Sequence, residues 1–271
     1  IIPVFNESES IGYLLDEVVN VMHNNNVNFE VVVVNDGSED NTSTVLDELT
    51  IRYKELSVIS LRKNYGQTAA MAAGFDYSNG EIVITLDGDL QNDPNDIPNL
   101  ISHINDGYDL ICGWRYARKD KLINRRIPSK IANKLIANVT GLRLHDYGCS
   151  LKAFKKEILN DIKLYGELHR FLPVLANIEG AKIKEIKVNH RSRKYGSSKY
   201  RIDRTFRVLM DLLTVWFMTK FLTRPMYGFG FIGIISIFVS LGMTSYLLLV
   251  KILGEDIGNR PMLMFALILG I

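Results

Sequence analysis

The stretch Ile82-Val-Ile-Thr-Leu-Asp87-Gly88-Asp89-Leu90-Gln91 sets two carboxylates one residue apart at the end of an apolar, β-branched run. Such a run predicts a buried strand of a parallel sheet. Open α/β sheets take their ligands at the carboxyl ends of those strands. Asp87 and Asp89 are hard oxygen donors, suited together to Mg²⁺ or Mn²⁺ shared with a diphosphate. Gln91 offers a third oxygen, and Gly88 leaves room for the chain to turn. An Asp-Gly-Asp after a strand is also ordinary turn chemistry, so its meaning rests on the rest of the chain.

Opposite charge comes later. Arg115, Arg118, Lys119, Lys121, Arg125, Arg126 and Lys130 crowd the segment after a predicted fifth strand, on the rim that carries Asp87. Charge runs are commonly solvated faces, but at this rim the run equally suits an anionic ligand. His190-Arg191-Ser192-Arg193-Lys194-Tyr195-Gly196-Ser197-Ser198-Lys199 is a second basic loop, whose cations and backbone amides suit phosphate. Cys112 and Cys149 fit neither a zinc spacing nor a disulfide framework. They read as free thiols of a reducing compartment.

The elements that must position these groups alternate. Strands are predicted at residues 1–4, 30–35, 57–61, 82–86 and 108–113, and again at 151–154 and 181–188. Helices are predicted between them: one capped by Ser8 or Ser10 with apolar positions from Ile11 to Met22, others from Asn41 to Tyr53, Thr68 to Tyr77, from Pro94 onward, 131–140 and 168–178. That alternation predicts an α/β fold with a doubly wound, mainly parallel sheet. No Gly-x-Gly-x-x-Gly follows the first strand, and no Gly-rich phosphate loop ending in Lys-Ser/Thr occurs. A bound nucleotide would therefore be held by carboxylates and a metal.

A chain of 271 residues that is 47% hydrophobic holds one sizeable core and more. The surplus lies at the end. Asp203 to Leu222 carries Phe206, Leu209, Met210, Leu213, Trp216, Phe217 and Phe221 at helical spacing. It reads as an amphipathic helix at a membrane interface, with a packed core helix as the alternative. Tyr227 to Val250 is 24 residues without a charge, roughly 36 Å of helix and enough to cross a bilayer. A polar hairpin from Lys251 to Pro261 leads into a second apolar span. Lys and Arg are denser before the first span than in the hairpin, which predicts a cytoplasmic globular part. The expected division is a catalytic domain at 1–200, a juxtamembrane helix at 201–224 and transmembrane helices at 225–271, the second truncated. No signal peptide is read at the start, and both ends read as edges of a longer protein.

Taken together, Pro3-Val-Phe-Asn-Glu7, Val34-Asn-Asp36-Gly-Ser38, Asn64-Tyr-Gly-Gln67, Asp87-Gly-Asp89-Leu-Gln91 and Tyr195-Gly-Ser-Ser-Lys199 resemble inverting family 2 glycosyltransferases of the GT-A fold. More narrowly, the chain resembles polyisoprenyl-phosphate glycosyltransferases of the dolichol-phosphate mannose synthase and bactoprenol glucosyltransferase type. Leu144-His-Asp146-Tyr-Gly-Cys-Ser-Leu-Lys-Ala-Phe154 is similar to the bacterial branch in particular. The resemblance implies a donor set of Pro3, Phe5, Glu7, Asp36, Gln67, Gly88, Arg193 and Lys199. Within it, the first four hold base and ribose, and Arg193 and Lys199 close over the diphosphate. It implies metal ligation by Asp87, Asp89 and Gln91, and an acceptor-phosphate set of Arg115, Arg125 and Ser129. Asp146 would lie by the sugar as base or orienting group, and Asp36 has an alternative as a turn acid. With Asp87, Asp89 and Arg115, Asp146 completes the catalytic set.

The expected reaction is inverting transfer of a sugar to undecaprenyl phosphate, giving a lipid-phosphate-linked sugar for cell-envelope or protein glycosylation. The first expectation for the donor is UDP-glucose. GDP-mannose, UDP-N-acetylhexosamine and a UDP-modified arabinose are alternatives. The expected location is a multi-pass protein of the bacterial inner membrane. No nucleic-acid partner is expected, and a homo-oligomer is left open. A processive polysaccharide synthase is disfavoured, because neither of the two glutamines, Gln67 and Gln91, begins a Gln-x-x-Arg-Trp motif. A nucleotidyltransferase would need a Gly-rich triphosphate loop near the first strand. A reading from another class is an inactive, membrane-tethered nucleotide-sugar binding protein, against which the intact Asp87 and Asp89 pair argues.

Overall fold

The computed structural model describes residues 1–116, 127–195, 203–221, 224–258 and 260–270. They form two compact units, Ile1–Val215 and Trp216–Ile271.

In the first unit, strands and helices alternate: β1 (Ile2–Val4), α1 (Ile11–Asn24), β2 (Val31–Asn35), α2 (Thr42–Arg52), β3 (Leu56–Ser60), α3 (Gln67–Tyr77), β4 (Ile82–Thr85), α4 (Ile97–Asn105) and β5 (Leu110–Arg115). Then come α5 (Ile127–Thr140), β6 (Lys152–Lys155), α6 (Lys156–Asp161), α7 (Leu172–Ile178), β7 (Ile183–Val188) and α8 (Asp203–Phe221), which runs into the second unit. Strands β1, β2 and β3 pair in parallel. A second sheet has the order β4-β6-β5-β7. The Ile1 amine donates to Ile84 O (2.6 Å) and Leu86 N donates to Ile1 O (3.1 Å). That slanted, parallel pattern stitches β4 beside β1, so the strands run on as β3-β2-β1-β4-β6-β5-β7.

One strand departs from the expected parallel alternation. β6 runs antiparallel to both β4 and β5, while β5 and β7 are parallel. The chain reaches β6 from a loop on the same rim as the acidic tip, so it must run back down the sheet. Helix α6, which the sequence pattern did not reveal, is a short turn after β6 with only Leu159 buried.

Two apolar layers sandwich the sheet. Ile11, Leu14, Leu15 and Val18 of α1, Leu46 of α2 and Leu100 of α4 pack on one face. Met71 and Phe75 of α3 with Leu172 and Ala176 of α7 pack on the other. Each such buried aliphatic or aromatic side chain stabilises by about 1.5–3 kcal/mol, which makes the sheet a rigid platform for its loops. One helix start differs from expectation in detail. Ser10 holds the position before α1, but its hydroxyl donates to Glu7 Oε2 (2.8 Å) instead of accepting from a helix amide. At the start of α2, Asn41 holds the position before the helix, and Asp40 accepts the Thr42 amide (3.0 Å).

In the second unit α9 (Pro225–Ile252) is long and apolar enough to cross a membrane, and α10 (Pro261–Gly270) is a shorter apolar helix. They form a tight hairpin. Ser240 Oγ donates to Ala266 O (2.7 Å), and a Cβ on Gly270 would sit 2.7 Å from that same Ser240 oxygen.

Candidate active site

The carboxyl ends of β1, β2 and β4 converge on one rim. Past β4, Asp87 is half-buried and Asp89 is only 7% exposed. The turn between them works differently from a free glycine hinge. A Cβ on Gly88 would come within 2.8 Å of Val4 Cγ1, so this glycine permits close approach to β1. The left-handed backbone falls instead on Leu90, at φ 62°. A non-glycine residue there stores about 1 kcal/mol or more, and burial of the Leu90 side chain in the core holds it in place.

Each carboxylate is engaged. Gln67 Nε2, at the start of α3, donates to Asp87 Oδ1 (2.8 Å). Asp89 Oδ1 accepts the Gln91 backbone N–H (3.1 Å), and Asp89 Oδ2 accepts Arg193 Nη2 (2.5 Å). Burial, with the negative field of Asp87, pushes the Asp89 carboxyl up to about 6 against the pull of Arg193. Gln91 thus meets Asp89 through its backbone, while its side-chain Nε2 lies 3.4 Å from Arg191 O.

Arg193 is delivered there by a segment that runs beside 91–93. His190 bridges Asn92, and Arg191 N donates to Gln91 O (2.8 Å). The Arg191 guanidinium spans Glu17 (2.6 Å) and Asp93 (2.8 Å), and Tyr195 stacks on Tyr13 at 6.1 Å. Lys199 and Arg125 lie outside the described residues. Ser129 falls in α5, with its side chain outside them.

Arg115, at the end of β5, meets Asp146 in a bidentate pair: Nε to Oδ2 at 2.7 Å and Nη2 to Oδ1 at 2.9 Å. Desolvation opposes the Arg115 charge, but the Asp146 hydrogen bond and field outweigh it and raise its pKa. The loop carrying Asp146 is tied to the acidic tip. Thr85 Oγ1 donates to Ser150 O (2.5 Å), Ser150 Oγ donates to Asn92 Oδ1 (2.8 Å), and Asp87 N points at the same oxygen from 3.5 Å.

Around the donor end, Pro3 pairs in register with Val34, and Glu7 N donates to Thr42 Oγ1 (3.0 Å). Phe5 lies between them, partly exposed. Asp36 accepts the Tyr65 amide (2.7 Å) and the Gly66 amide (2.8 Å), organising the turn before α3. Gly37 behind it has φ 65°, and a Cβ there would meet the Lys63 backbone at 2.4 Å, so only glycine fits. The sequence reading missed Asn92, Ser150 and the buried contact between Thr68 Oγ1 and His169 Nδ1 (2.7 Å). Asn and Ser in a loop carry no signal of their own, and a histidine 101 positions away gives no hint of its partner.

Among the described residues no group of three or more His, Cys, Asp or Glu side chains is arranged to hold a metal. The acidic groups at the strand tip are Asp87 and Asp89. A buried carboxylate pushed up by a like-charged neighbour is a place where a cation relieves repulsion, so the pair suits a divalent ion that completes its shell from a diphosphate.

The mainly parallel sheet with its acidic tip is of the GT-A type, and the chain is a glycosyltransferase. Residues 1–163 match the family model described as "Glycosyl transferase family 2", and the chain belongs to that family, among the polyisoprenyl-phosphate glycosyltransferases. It is 44% identical to a dodecaprenyl-phosphate galacturonate synthase of Rhizobium johnstonii, over 99% of this chain and 81% of that protein. It is 36% identical to an undecaprenyl-phosphate 4-deoxy-4-formamido-L-arabinose transferase of Aeromonas hydrophila, over 94% of this chain and 77% of that one. The fold is similar to the crystal structure of glucosyl-3-phosphoglycerate synthase from Mycobacterium tuberculosis in complex with Mn²⁺ and uridine-diphosphate-glucose. That match has a TM-score of 0.62 at 17% identity and covers 80% of this chain and 77% of that one.

Proposed function

We propose that this glycosyltransferase moves a modified sugar from a UDP-sugar to undecaprenyl phosphate or a similar polyisoprenyl phosphate, with inversion at the anomeric carbon. The observation that carries the reading is the meeting on one rim of the acidic tip, half-buried Asp87 and buried Asp89, with the bidentate Arg115–Asp146 pair. The first supports a metal-bound diphosphate, the second a phosphate acceptor. The glucose expectation finds no support in the relatives, whose names specify galacturonate and formamidoarabinose. The modified-arabinose alternative stands closer, and a hexuronate joins it.

Asp87 and Asp89 would hold Mg²⁺ or Mn²⁺. When bound, the ion supplies Lewis-acid neutralisation of the departing diphosphate. Arg193, already at Asp89, adds a cation to the same charge, and the Lys199 segment would follow it. Pro3, Phe5 and Glu7 would line the nucleoside end, and Asp36 shapes the turn that closes it. Arg115, helped by Arg125 and Ser129, would offset the charge of the incoming lipid phosphate. A phosphomonoester with a second pKa of about 6 is largely ionised at neutral pH, so its oxygen attacks without a strong base. Asp146 has both oxygens committed to Arg115, which supports the orienting role over the basic one.

The catalytic part is assigned to residues 1–200, with 201–224 as the juxtamembrane helix and 225–271 as a multi-pass anchor of a bacterial inner membrane. The apolar surface of α9 supports the anchor.

The test is transfer from a panel of radiolabelled nucleotide sugars, with undecaprenyl phosphate and Mn²⁺, into an organic-extractable lipid. UDP-galacturonate or UDP-4-formamidoarabinose is expected to label the lipid best. Nucleotide-sugar binding without label from any donor would overturn the reading in favour of an inactive binding protein.

A further inference from the structure

The Arg115–Asp146 pair depends on a loop, 141–151, without regular structure. Its position is set from β7. Glu185 has a side chain only 10% exposed. Its Oε1 accepts the His145 amide (2.8 Å) and the Asp146 amide (2.9 Å). Its Oε2 accepts the His145 amide (3.0 Å) and lies 2.6 Å from His145 Nδ1. Trp114, the neighbour of Arg115, stacks on the His145 ring at 4.1 Å. From the other side, Lys152 of β6, 3% exposed, donates to the carbonyls of Tyr147 (3.5 Å) and Cys149.

The loop is therefore clamped by charge. A carboxylate on one strand takes its amides, and an ammonium on another donates to its carbonyls. Hydrogen bonds to ionised groups are roughly twice as strong as neutral ones, and those of Glu185 end on the backbone amides of Asp146 itself and of His145 before it. We infer that Glu185 is a positioning residue: it fixes the Asp146 backbone so that Asp146 presents Arg115 to the acceptor phosphate. This rests on the reading of Arg115 and Asp146 as the acceptor station given above. A role confined to stability would lower donor and acceptor steps alike; a positioning role strikes the acceptor step alone.

The experiment uses the full chain in lipid nanodiscs, with undecaprenyl phosphate and whichever UDP-sugar labels the lipid. Glu185→Ala is expected to lower kcat/KM for undecaprenyl phosphate about ten-fold or more, the scale of a misplaced reacting group. Binding of UDP with Mn²⁺, read by calorimetry, should stay within about two-fold, because none of the displaced bonds touches Asp87 or Asp89. Glu185→Gln keeps an oxygen for both amides but loses the charge, so its acceptor kinetics should fall between those of the parent and of Glu185→Ala. Unchanged acceptor kinetics in Glu185→Ala, equal loss of UDP binding, or a Glu185→Gln as impaired as Glu185→Ala would each overturn the inference. Should Glu185→Ala fail to fold, Glu185→Asp, one methylene shorter, is put to the same split with the same expectations. Arg115→Lys separates the two levels. Unchanged acceptor kinetics there sinks the acceptor station and Glu185 with it, while an impaired Arg115→Lys beside a normal Glu185→Ala sinks only the positioning role.

Discussion

Asp89 sits where two demands conflict. Folding buries a carboxylate beside Asp87, and burial and that like charge both favour its neutral form. A cation at this point is what makes the charged form tolerable, and Arg193 meets part of that need in the protein alone. Asp89→Asn keeps the shape and removes the charge. It is expected to lower transfer at least about a hundred-fold, the scale seen when charge stabilisation is lost from a reacting site. It should shift Tm by less than about 4 °C, since little net stability rests on a carboxylate held against its preference. Steady-state transfer and thermal unfolding in chelator check the two halves, and near-normal transfer would remove Asp89 from the chemistry. At this scale the sequence was most informative about the acids themselves. It said less about their partners: Gln67, not the Gln91 side chain, is the amide on a carboxylate.

At the scale of elements, β6 and β7 decide how the second half of the rim is built. Asp109, just before β5, ties three strands together. It accepts Lys155 Nζ at the end of β6 (2.7 Å) and the Lys182 amide before β7 (2.8 Å). Desolvation raises the pKa of Asp109, but the Lys155 hydrogen bond and the Lys182 amide outweigh it and lower it below the ordinary 3.8. A carboxyl depressed in the folded state contributes stability that is fully present above the unfolded value and is lost as pH falls through the folded one. Asp109→Asn is therefore expected to lower Tm at neutral pH and to flatten the fall of Tm on the acid side below about pH 4. Parallel Tm–pH curves for parent and variant would refute the assignment. The antiparallel run of β6 between β4 and β5 was not legible in its own residues, because Leu151 to Phe154 reads as a buried strand in either direction.

For the molecule as a whole, the second unit presents apolar surface in quantity. Phe231, Ile232, Phe238, Leu241 and Leu249 of α9 are all more than half exposed. Helix α9 has 28 residues, about 42 Å at about 1.5 Å per residue, and exposed apolar surface on that scale marks a membrane or partner surface. The proposed span predicts that Phe238→Lys with Leu241→Lys, near its middle, releases the chain from membranes under alkaline extraction. Each lysine at a helix centre costs about 2.5–3.5 kcal/mol of insertion. Full retention of the double variant would argue against α9 as a lipid-facing span.

Residue order alone determined what is local: alternating strands and helices, carboxylates at a strand tip, basic loops and an uncharged stretch long enough for a bilayer. These follow from side-chain periodicity and turn chemistry, which act over a few neighbouring positions. Only the folded chain decided which charges meet. Arg193 reaches Asp89 across 104 positions, Arg115 closes on Asp146 across 31, and Glu185 holds the loop that carries Asp146 from 39 positions beyond it. A pattern of apolar faces says that a strand is buried; it does not say which strand lies beside it, and that neighbour is what chooses each charge its partner.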